Sequence, residues 1–452
     1  MNVIVIGCGK VGRTIVNNLI KEDNDITVID INPDVIDSVV NEVDVAGIAG
    51  NAANHEILLE AGVKNADIVI CVTKSDEFNV LCCLLAKKTG GCQTIARVRN
   101  PEYNNELNFI KDELGLAMLI NPEMASAVEM SRILRFPSAI SVDTFEKGRV
   151  ELLQLKIPEG SFLDGMKIRD IRPKAKNDVL VCGVERGEEI FIPNGEFILK
   201  TGDSITIVSS PMYVNDFFRK VGVRANQAKS VIIAGGGETG FYLASILTKT
   251  GVDVTIIEHD EKRCNEINER LAKVKVIHGD ATDRVLLDEE GIGSVDAFCA
   301  LTSFDEENVM LSLYAKKASP NIKTITKINK IEFDDIIKEM DLDTIVYPKE
   351  VAAEHVTSFV RAFKNSMGSN VETMYKIIGG KAEALEFTVK EGSPVVDKPL
   401  MELNFKTDII VACITRKGSI IYPRGNDYMQ VGDSVVIVTT REGLNDIKDI
   451  LV

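Results

Sequence analysis

Two sets of glycines, far apart in the chain, carry the most specific chemistry in this sequence. Gly7, Gly9 and Gly12, with Cys8, Lys10 and Val11 among them, form one G-x-G-x-x-G, and Gly235, Gly237 and Gly240, with Glu238 and Thr239, form a second. In such a loop the first glycine permits a tight turn, the second lets the backbone approach a pyrophosphate, and the third lets a helix pack closely on the preceding strand. The helix then offers free N–H groups and the positive end of its dipole to anionic oxygens. In both copies an acid stands 23 residues after the first glycine, Asp30 and Glu258. An acid ending the second strand grips ribose hydroxyls and repels a 2′-phosphate, so the pattern favours NAD over NADP.

Further candidates fall at the ends of later strands. Thr73 and Lys74, and in the second copy Thr302, are expected to border the adenosine or phosphate cleft. Asp76 and Asp305, three residues on, are expected to cap the next helix. The fifth strand brings a cation in each copy, Arg97 and Lys327; a guanidinium forks and an ammonium is a point charge, so the two sites should not bind equally. After the third strand, Asn51-Ala52 stands where the second copy has Asp280-Ala281. Asn51 removes a negative charge beside the adenosine and favours a more anionic ligand in the first site. His278 reads as a packed edge residue rather than a base.

The elements needed to position these residues are legible as alternation. Short β-branched runs near residues 3–6, 26–30, 45–50, 66–73, 94–99 and 116–120 alternate with helical stretches, the last near 102–114, which predicts a doubly wound parallel sheet with Gly7, Asp30, Asn51, Thr73 and Arg97 at the strands' carboxyl ends. A helix opens at Pro122 and runs to about Arg135, with Met124, Val128, Ile133 and Leu134 as its apolar stripe; it is expected to leave its own sheet and pack elsewhere. Shorter strands follow near 151–157, 178–185, 188–192 and 204–209, with Arg186-Gly187 as a hairpin turn. The second half repeats this order, with Pro348 opening the counterpart helix and Gly432-Asp433-Ser434 matching Gly202-Asp203-Ser204. The predicted fold class is α/β, two doubly wound Rossmann-like domains (1–136 and 226–368), each followed by a small α+β domain (137–225 and 369–452). Movement between domains is expected at the helices beginning at Pro122 and Pro348.

Composition narrows the function classes. With 52 Lys and Arg against 68 Asp and Glu, a formal charge of −16, and no basic patch, a nucleic-acid role is not expected. The nine cysteines are scattered without a C-x-x-C pair and the four histidines lack metal-ligand spacing, which suits a reducing cytoplasm and no metal site. Met1 runs straight into the first strand, leaving no room for a signal peptide, and no apolar run reaches the length of a membrane span.

With these residues placed, the chain resembles the TrkA family, the cytosolic regulatory subunits of Trk potassium-uptake systems built from two RCK units. The resemblance rests on the duplicated ensemble: the glycine loop with its distant acid, G-[DN]-A, the Thr73 and Thr302 segments, the fifth-strand cation and the small domain with G-D-S. It implies a non-enzymatic sensor that binds NAD(H), and also ATP or ADP, and docks on the cytoplasmic face of a TrkH- or TrkG-type potassium-translocating membrane subunit. It further implies a ring of RCK units, which for a tandem chain is a homotetramer. Carried over by position, the first site comprises Gly7, Cys8, Gly9, Lys10, Val11, Gly12, Asp30, Asn51, Ala52, Thr73, Lys74 and Arg97. The second comprises Gly235, Gly237, Glu238, Thr239, Gly240, Glu258, Asp280, Ala281, Thr302 and Lys327. Asn51 and Glu258 depart from the family's aspartates, and Glu238 puts an acid in the second loop. The competing class, an NAD-dependent oxidoreductase, needs a proton-transfer group facing the nicotinamide. His55 at a helix start, His259 beside the ribose acid and His355 on the second crossover helix are poor candidates.

Overall fold

The computed structural model describes the chain except residues 101–106, 136–140, 146–149, 177, 188, 210, 223–227, 330–335, 338, 339, 341, 367–370, 379, 380 and 442. It opens with β1 (Asn2–Ile6), buried from Val3 onward, and α1 (Lys10–Ile20), whose Ile15, Val16 and Leu19 recur at helical spacing on the buried face. Next come β2 (Asp25–Asp30), α2 (Pro33–Glu42, capped by the Asn32 side chain), β3 (Ala46–Ala49) and α3 (His55–Glu60). The lobe closes with β4 (Ile68–Cys71), α4 (Asp76–Gly90), β5 (Gln93–Arg97), α5 (Leu107–Leu114) and β6 (Met118–Ile120). The six strands pair in parallel in the order β3-β2-β1-β4-β5-β6. All four residues of β4 are buried, as a strand covered on both faces requires. Strand order reverses between β1 and β4, and there a crevice opens at the carboxyl ends.

The helix α6 (Pro122–Arg135) leads to the first small lobe: β7 (Ser141–Phe145), β8 (Val150–Lys156), α7 (Ile168–Ala175), β9 (Val179–Arg186), β10 (Glu189–Phe191), β11 (Ser204–Ser209) and α8 (Pro211–Val221). Its sheet is antiparallel, in the order β10-β9-β11-β8-β7, and the two-residue connection after Arg186 closes the expected hairpin.

The pattern then recurs with β12 (Ser230–Ala234), α9 (Glu238–Lys249), β13 (Asp253–Glu258), α10 (Glu261–Arg270), β14 (Lys275–His278), α11 (Arg284–Glu289), β15 (Ala297–Ala300), α12 (Asp305–Ala318), β16 (Lys323–Lys327), β17 (Thr344–Val346) and α13 (Pro348–Ser366). The second parallel sheet, β14-β13-β12-β15-β16-β17, copies the first strand for strand. The last lobe carries β18 (Val371–Ile377), β19 (Ala382–Thr388), β20 (Ile409–Arg416), β21 (Ser419–Ile421) and β22 (Ser434–Thr439), again as the first small sheet in the order β18-β19-β22-β20-β21. The sequence pattern does not mark β7 and β18, each a strand at one edge of its small sheet.

Contacts gather the lobes into two compact units, Met1–Leu134 with Ala228–Thr357, and Arg135–Gln227 with Ser358–Val452. The first unit therefore holds both parallel sheets. As expected, α6 leaves its own sheet: Ala127, Met130 and Leu134 share a core with Val231, Ile233, Leu243 and Ile256 of the second lobe. The buried face differs from the expected stripe, since Met124 and Ile133 only flank this core while Ala127 and Met130 enter it. Small Ala127 allows the close approach that larger residues would prevent. In the second unit the two small sheets share a core of Leu152, Cys182 and Val208 with Ala384, Cys413 and Val436. All nine cysteines are buried and none is in a disulfide.

Candidate functional site

Gly7 takes φ +95°, a backbone conformation that L side chains rarely adopt. A Cβ at Gly12 would stand 1.9 Å from the Gly7 carbonyl oxygen, so only glycine permits α1 to start beneath the turn. Gly9, the N-cap of α1, faces open space, and no side chain caps that helix. The N–H groups of the first turn are thus presented to whatever approaches the loop. Asp30 pins the loop from the end of β2: Oδ2 accepts from the Cys8 N–H at 2.8 Å and Oδ1 from the Asn32 N–H at 3.0 Å.

A cavity of about 780 Å³ opens over this turn. Of the sequence-predicted set, Gly7, Gly9, Lys10, Val11, Asp30, Asn51, Ala52, Thr73, Lys74 and Arg97 all line it, and the size suits a nucleotide-class ligand. Cys8 and Gly12 lie outside the lining; burial pushes the Cys8 thiol up to about 12, so it stays neutral. Ile31, Val35, Phe78 and Arg99 join the lining without having been expected. Ile31 stands 75% exposed immediately after Asp30, an apolar surface at the cavity.

The far wall is held by Asn79, which is fully buried. Its Oδ1 accepts from the Thr73 N–H at 2.8 Å and the Thr73 hydroxyl at 2.7 Å, while Nδ2 donates to the Arg97 carbonyl at 2.9 Å. One amide thereby ties the ends of β4 and β5 together. Asp76 does not cap α4 as expected: Ser75 accepts from the Phe78 N–H at 3.2 Å, and Asp76 accepts from the N–H groups of Arg99 and Asn100 at 2.8 and 2.9 Å. Serine is already the N-cap, so the aspartate one residue on instead fixes the segment that leaves β5. The Arg97 guanidinium donates to the Thr73 carbonyl, and its Nε is buried without a hydrogen-bond partner. Burial, then the neighbouring Arg99 charge, lowers its pKa, a desolvation penalty that a bound anion would relieve.

The second copy repeats the scaffold. Gly235 takes φ +102°, a Cβ at Gly240 would meet the Gly235 oxygen at 2.3 Å, and Gly237 faces open space. Asn308 repeats the Asn79 tie, accepting from the Thr302 N–H at 2.8 Å and donating to the Lys327 carbonyl at 2.9 Å. Asp280 accepts from the N–H and hydroxyl of Thr282, both at 2.8 Å, and these bonds hold its pKa low. Ala281 and Thr239 are buried. Lys327 donates to the Leu301 carbonyl at 2.8 Å, and burial lowers its pKa. Glu258 is buried beneath the loop, accepting from the N–H groups of Gly236 at 2.7 Å and Asp260 at 2.9 Å. Glu238 meets Arg263 at 3.2 Å, and Arg263 also donates through Nε to the Gly236 carbonyl at 2.8 Å. His278 lies on the edge strand but is exposed, so it is an edge residue that is not packed.

The asparagine ties went unassigned in the sequence although each stands six residues after its threonine in both copies, a repetition that could have exposed them. Among the described residues no cluster of His, Cys, Asp and Glu could hold a metal, and no helix is long and apolar enough to cross a membrane.

Comparison with known proteins agrees along the chain. The TrkA-N domain family matches residues 3–122 and 231–348, and the TrkA-C domain family matches 152–222 and 384–452. The chain is 33% identical to Trk system potassium uptake protein TrkA homolog 1 of Methanosarcina mazei, covering 99% of each. It is 30% identical to Trk system potassium uptake protein TrkA of Haemophilus influenzae, covering 97% of this chain and 95% of that protein. Among solved structures it is similar in fold to a GsuK channel bound to NAD (TM-score 0.63, 17% identity, 98% of this chain and 77% of that one). It is likewise similar to the GsuK RCK domain (TM-score 0.63, 16% identity, 98% and 92%).

Proposed function

The chain belongs to the TrkA family of Trk potassium-uptake proteins, and from that premise we propose that it is a nucleotide-sensing regulatory subunit. In this reading NAD(H), or the adenylates ATP and ADP, bind the first crevice without being transformed. The observation that carries it is the convergence of the open Gly9, the uncapped start of α1, Lys10 and the part-satisfied Arg97 guanidinium on the cavity that also holds Asp30. Loop N–H groups and the two cations would take the pyrophosphate, Asp30 a ribose, and Ile31, Val35 and Ala52 the base. A GsuK channel of the same fold has been solved bound to NAD, which supports the ligand class.

The ligand acts by binding one shape of the assembly better than another, and it shifts the population only by that difference. The subunit works in the cytoplasm at the inner face of the membrane, as a homotetrameric ring of RCK units that gates a TrkH- or TrkG-type potassium-translocating subunit. A competition series of NAD, NADH, ATP and ADP, followed calorimetrically with the oligomer mass measured in parallel, tests this. Micromolar binding without turnover, at four chains per particle, is the expected result. Sustained conversion of a metabolite, or no binding by any of the four, refutes it.

A further inference from the structure

The two crevices share a scaffold but differ in what faces the ligand. Position for position, Lys10 corresponds to Glu238, Val35 to Arg263, Lys74 to Ser303, Phe78 to Glu307 and Arg99 to Asn329. All five first-copy residues line the first cavity. Together with Arg97 and Asp30, the first set holds four cations against one carboxylate. The matching second set, with Asp280 in place of Asn51, holds Glu238, Glu258, Asp280 and Glu307 against only Arg263 and Lys327. A phosphate entering the first crevice meets a favourable field; entering the second, it meets a repulsive one.

The geometry adds a physical block. Lys10 and Val35 stand on two different elements, α1 and α2, that flank the first opening. Their counterparts Glu238 and Arg263 reach toward one another and make ionic contact at 3.2 Å. Arg263 is fastened further by its 2.8 Å bond to the Gly236 carbonyl and by lying over the Phe241 ring at 5.6 Å. Glu238 is the first residue of α9, so its carboxylate already stands at the helix end that a pyrophosphate would use. Glu258 has both oxygens engaged, one by the Gly236 N–H and the other by the Asp260 N–H and, at 2.8 Å, His259 Nδ1. It is buried, whereas Asp30 remains partly exposed.

Resting on the reading of the first crevice as the nucleotide site, we infer that the Glu238–Arg263 pair is a built-in latch that excludes phosphorylated nucleotides from the second crevice. Glu238 is the specificity-determining residue: an internal anion takes the place of the ligand's own. Each chain therefore binds one equivalent of dinucleotide, although it carries two glycine fingerprints.

Titration calorimetry with NADH on the full-length chain, wild type beside the double variant Glu238→Lys with Arg263→Val, tests this. The wild type is expected to bind one equivalent per chain, with no second event up to about a hundredfold above the first dissociation constant. The double variant, which installs the first copy's residues, is expected to bind two. Two equivalents on the wild type overturn the latch while leaving the function of the first crevice intact. One equivalent on a double variant whose melting curve matches the wild type also overturns it. If the double variant does not fold, the wild-type count still decides, and Asp30→Ala provides the check: a single event weakened about 10- to 100-fold supports a single site, and one equivalent retained at wild-type affinity overturns it. No binding by wild type but one equivalent on the double variant removes the first crevice's role and leaves the latch standing; none on either removes both.

Discussion

Replacing Asp30 with alanine perturbs the first crevice at the point where backbone and ligand share one side chain. Its carboxylate accepts from Cys8 and Asn32 at 2.8 and 3.0 Å, so it shapes the loop, and in the proposed reading it also presents a negative charge to a ribose. A hydrogen bond to a charged group is worth about 1.5–3 kcal/mol. At 1.4 kcal/mol per decade, losing the ribose contact lowers NADH affinity by about 10- to 100-fold. Freeing two loop N–H groups adds a smaller cost to stability, since water reaches the partly exposed site. Asp30→Asn separates the two effects. It keeps one acceptor for the Cys8 N–H, so its melting temperature should stay near the wild type. With the carboxylate gone, NADPH should approach NADH in affinity, because nothing repels the 2′-phosphate. Calorimetric titration with NADH and NADPH beside thermal melts reads both quantities. Wild-type NADH affinity in the alanine variant would refute the role of Asp30.

Gly9→Ala and Gly12→Ala should diverge. The first places a methyl group in open space and is expected to spare the melting temperature while weakening nucleotide binding by about tenfold or more, because in the proposed reading that space is where phosphate approaches. The second forces a Cβ against the Gly7 oxygen and is expected to cost about 3 kcal/mol or more, read by chemical denaturation. Asn79→Ala leaves the buried Thr73 donors and the Arg97 carbonyl unmatched, and a loss on the order of 3 kcal/mol is expected by the same assay. Burial, partly offset by the Asn121 hydrogen bond, pushes the Tyr242 hydroxyl up to about 12 from 10.0. Its contribution is fully present below pH 10 and is lost as pH rises toward 12, so Tyr242→Phe should flatten the alkaline fall in stability over that interval. An unchanged alkaline slope in Tyr242→Phe would contradict that assignment.

The parallel lobes were legible because each strand there is a short apolar run ending at a turn, and because the whole pattern occurs twice. The glycines, Asp30, Thr73 and Arg97 could be placed from the topology alone, since all lie at carboxyl ends of strands in one sheet. β7 and β18 were not legible. Each pairs with only one neighbour at a sheet edge, so neither needs the continuous apolar run that marks β4. Part of the cavity's apolar lining was also hidden: Ile31, Val35 and Phe78 come from three segments and read locally as ordinary loop and helix residues. The same is true of Asn79, whose composition suggests a solvated helix face but whose burial is complete. Glu238 was visible as an oddity in the second loop. Its partner Arg263 was not, because nothing in a helix of charged residues distinguishes the one that turns inward.

For nucleotide in the first crevice to matter elsewhere, some element outside the crevice must be fixed to it. The structure supplies one within the first unit. Arg99 lines the cavity, and its carbonyl accepts from Tyr242 Oη at 3.0 Å and from Asn121 Nδ2 at 3.0 Å. Tyr242 belongs to α9, the helix that starts at the second glycine loop, while Asn121 immediately precedes α6. Arg99 is thus joined at one oxygen to both the second lobe and the start of the helix that packs into that lobe's core. Side chains in such a core tolerate only discrete rearrangements, so a ligand that moves Arg99 must either break these bonds or carry α6 and α9 with it. Tyr242→Phe removes the bond to the Arg99 carbonyl and the one the hydroxyl accepts from Asn121 Nδ2, while keeping the ring's packing. If the tie transmits binding, this variant should bind nucleotide with near-native affinity yet lose the ligand-dependent change in potassium flux in vesicles carrying the membrane subunit; intact regulation would show that the signal leaves the crevice by another route.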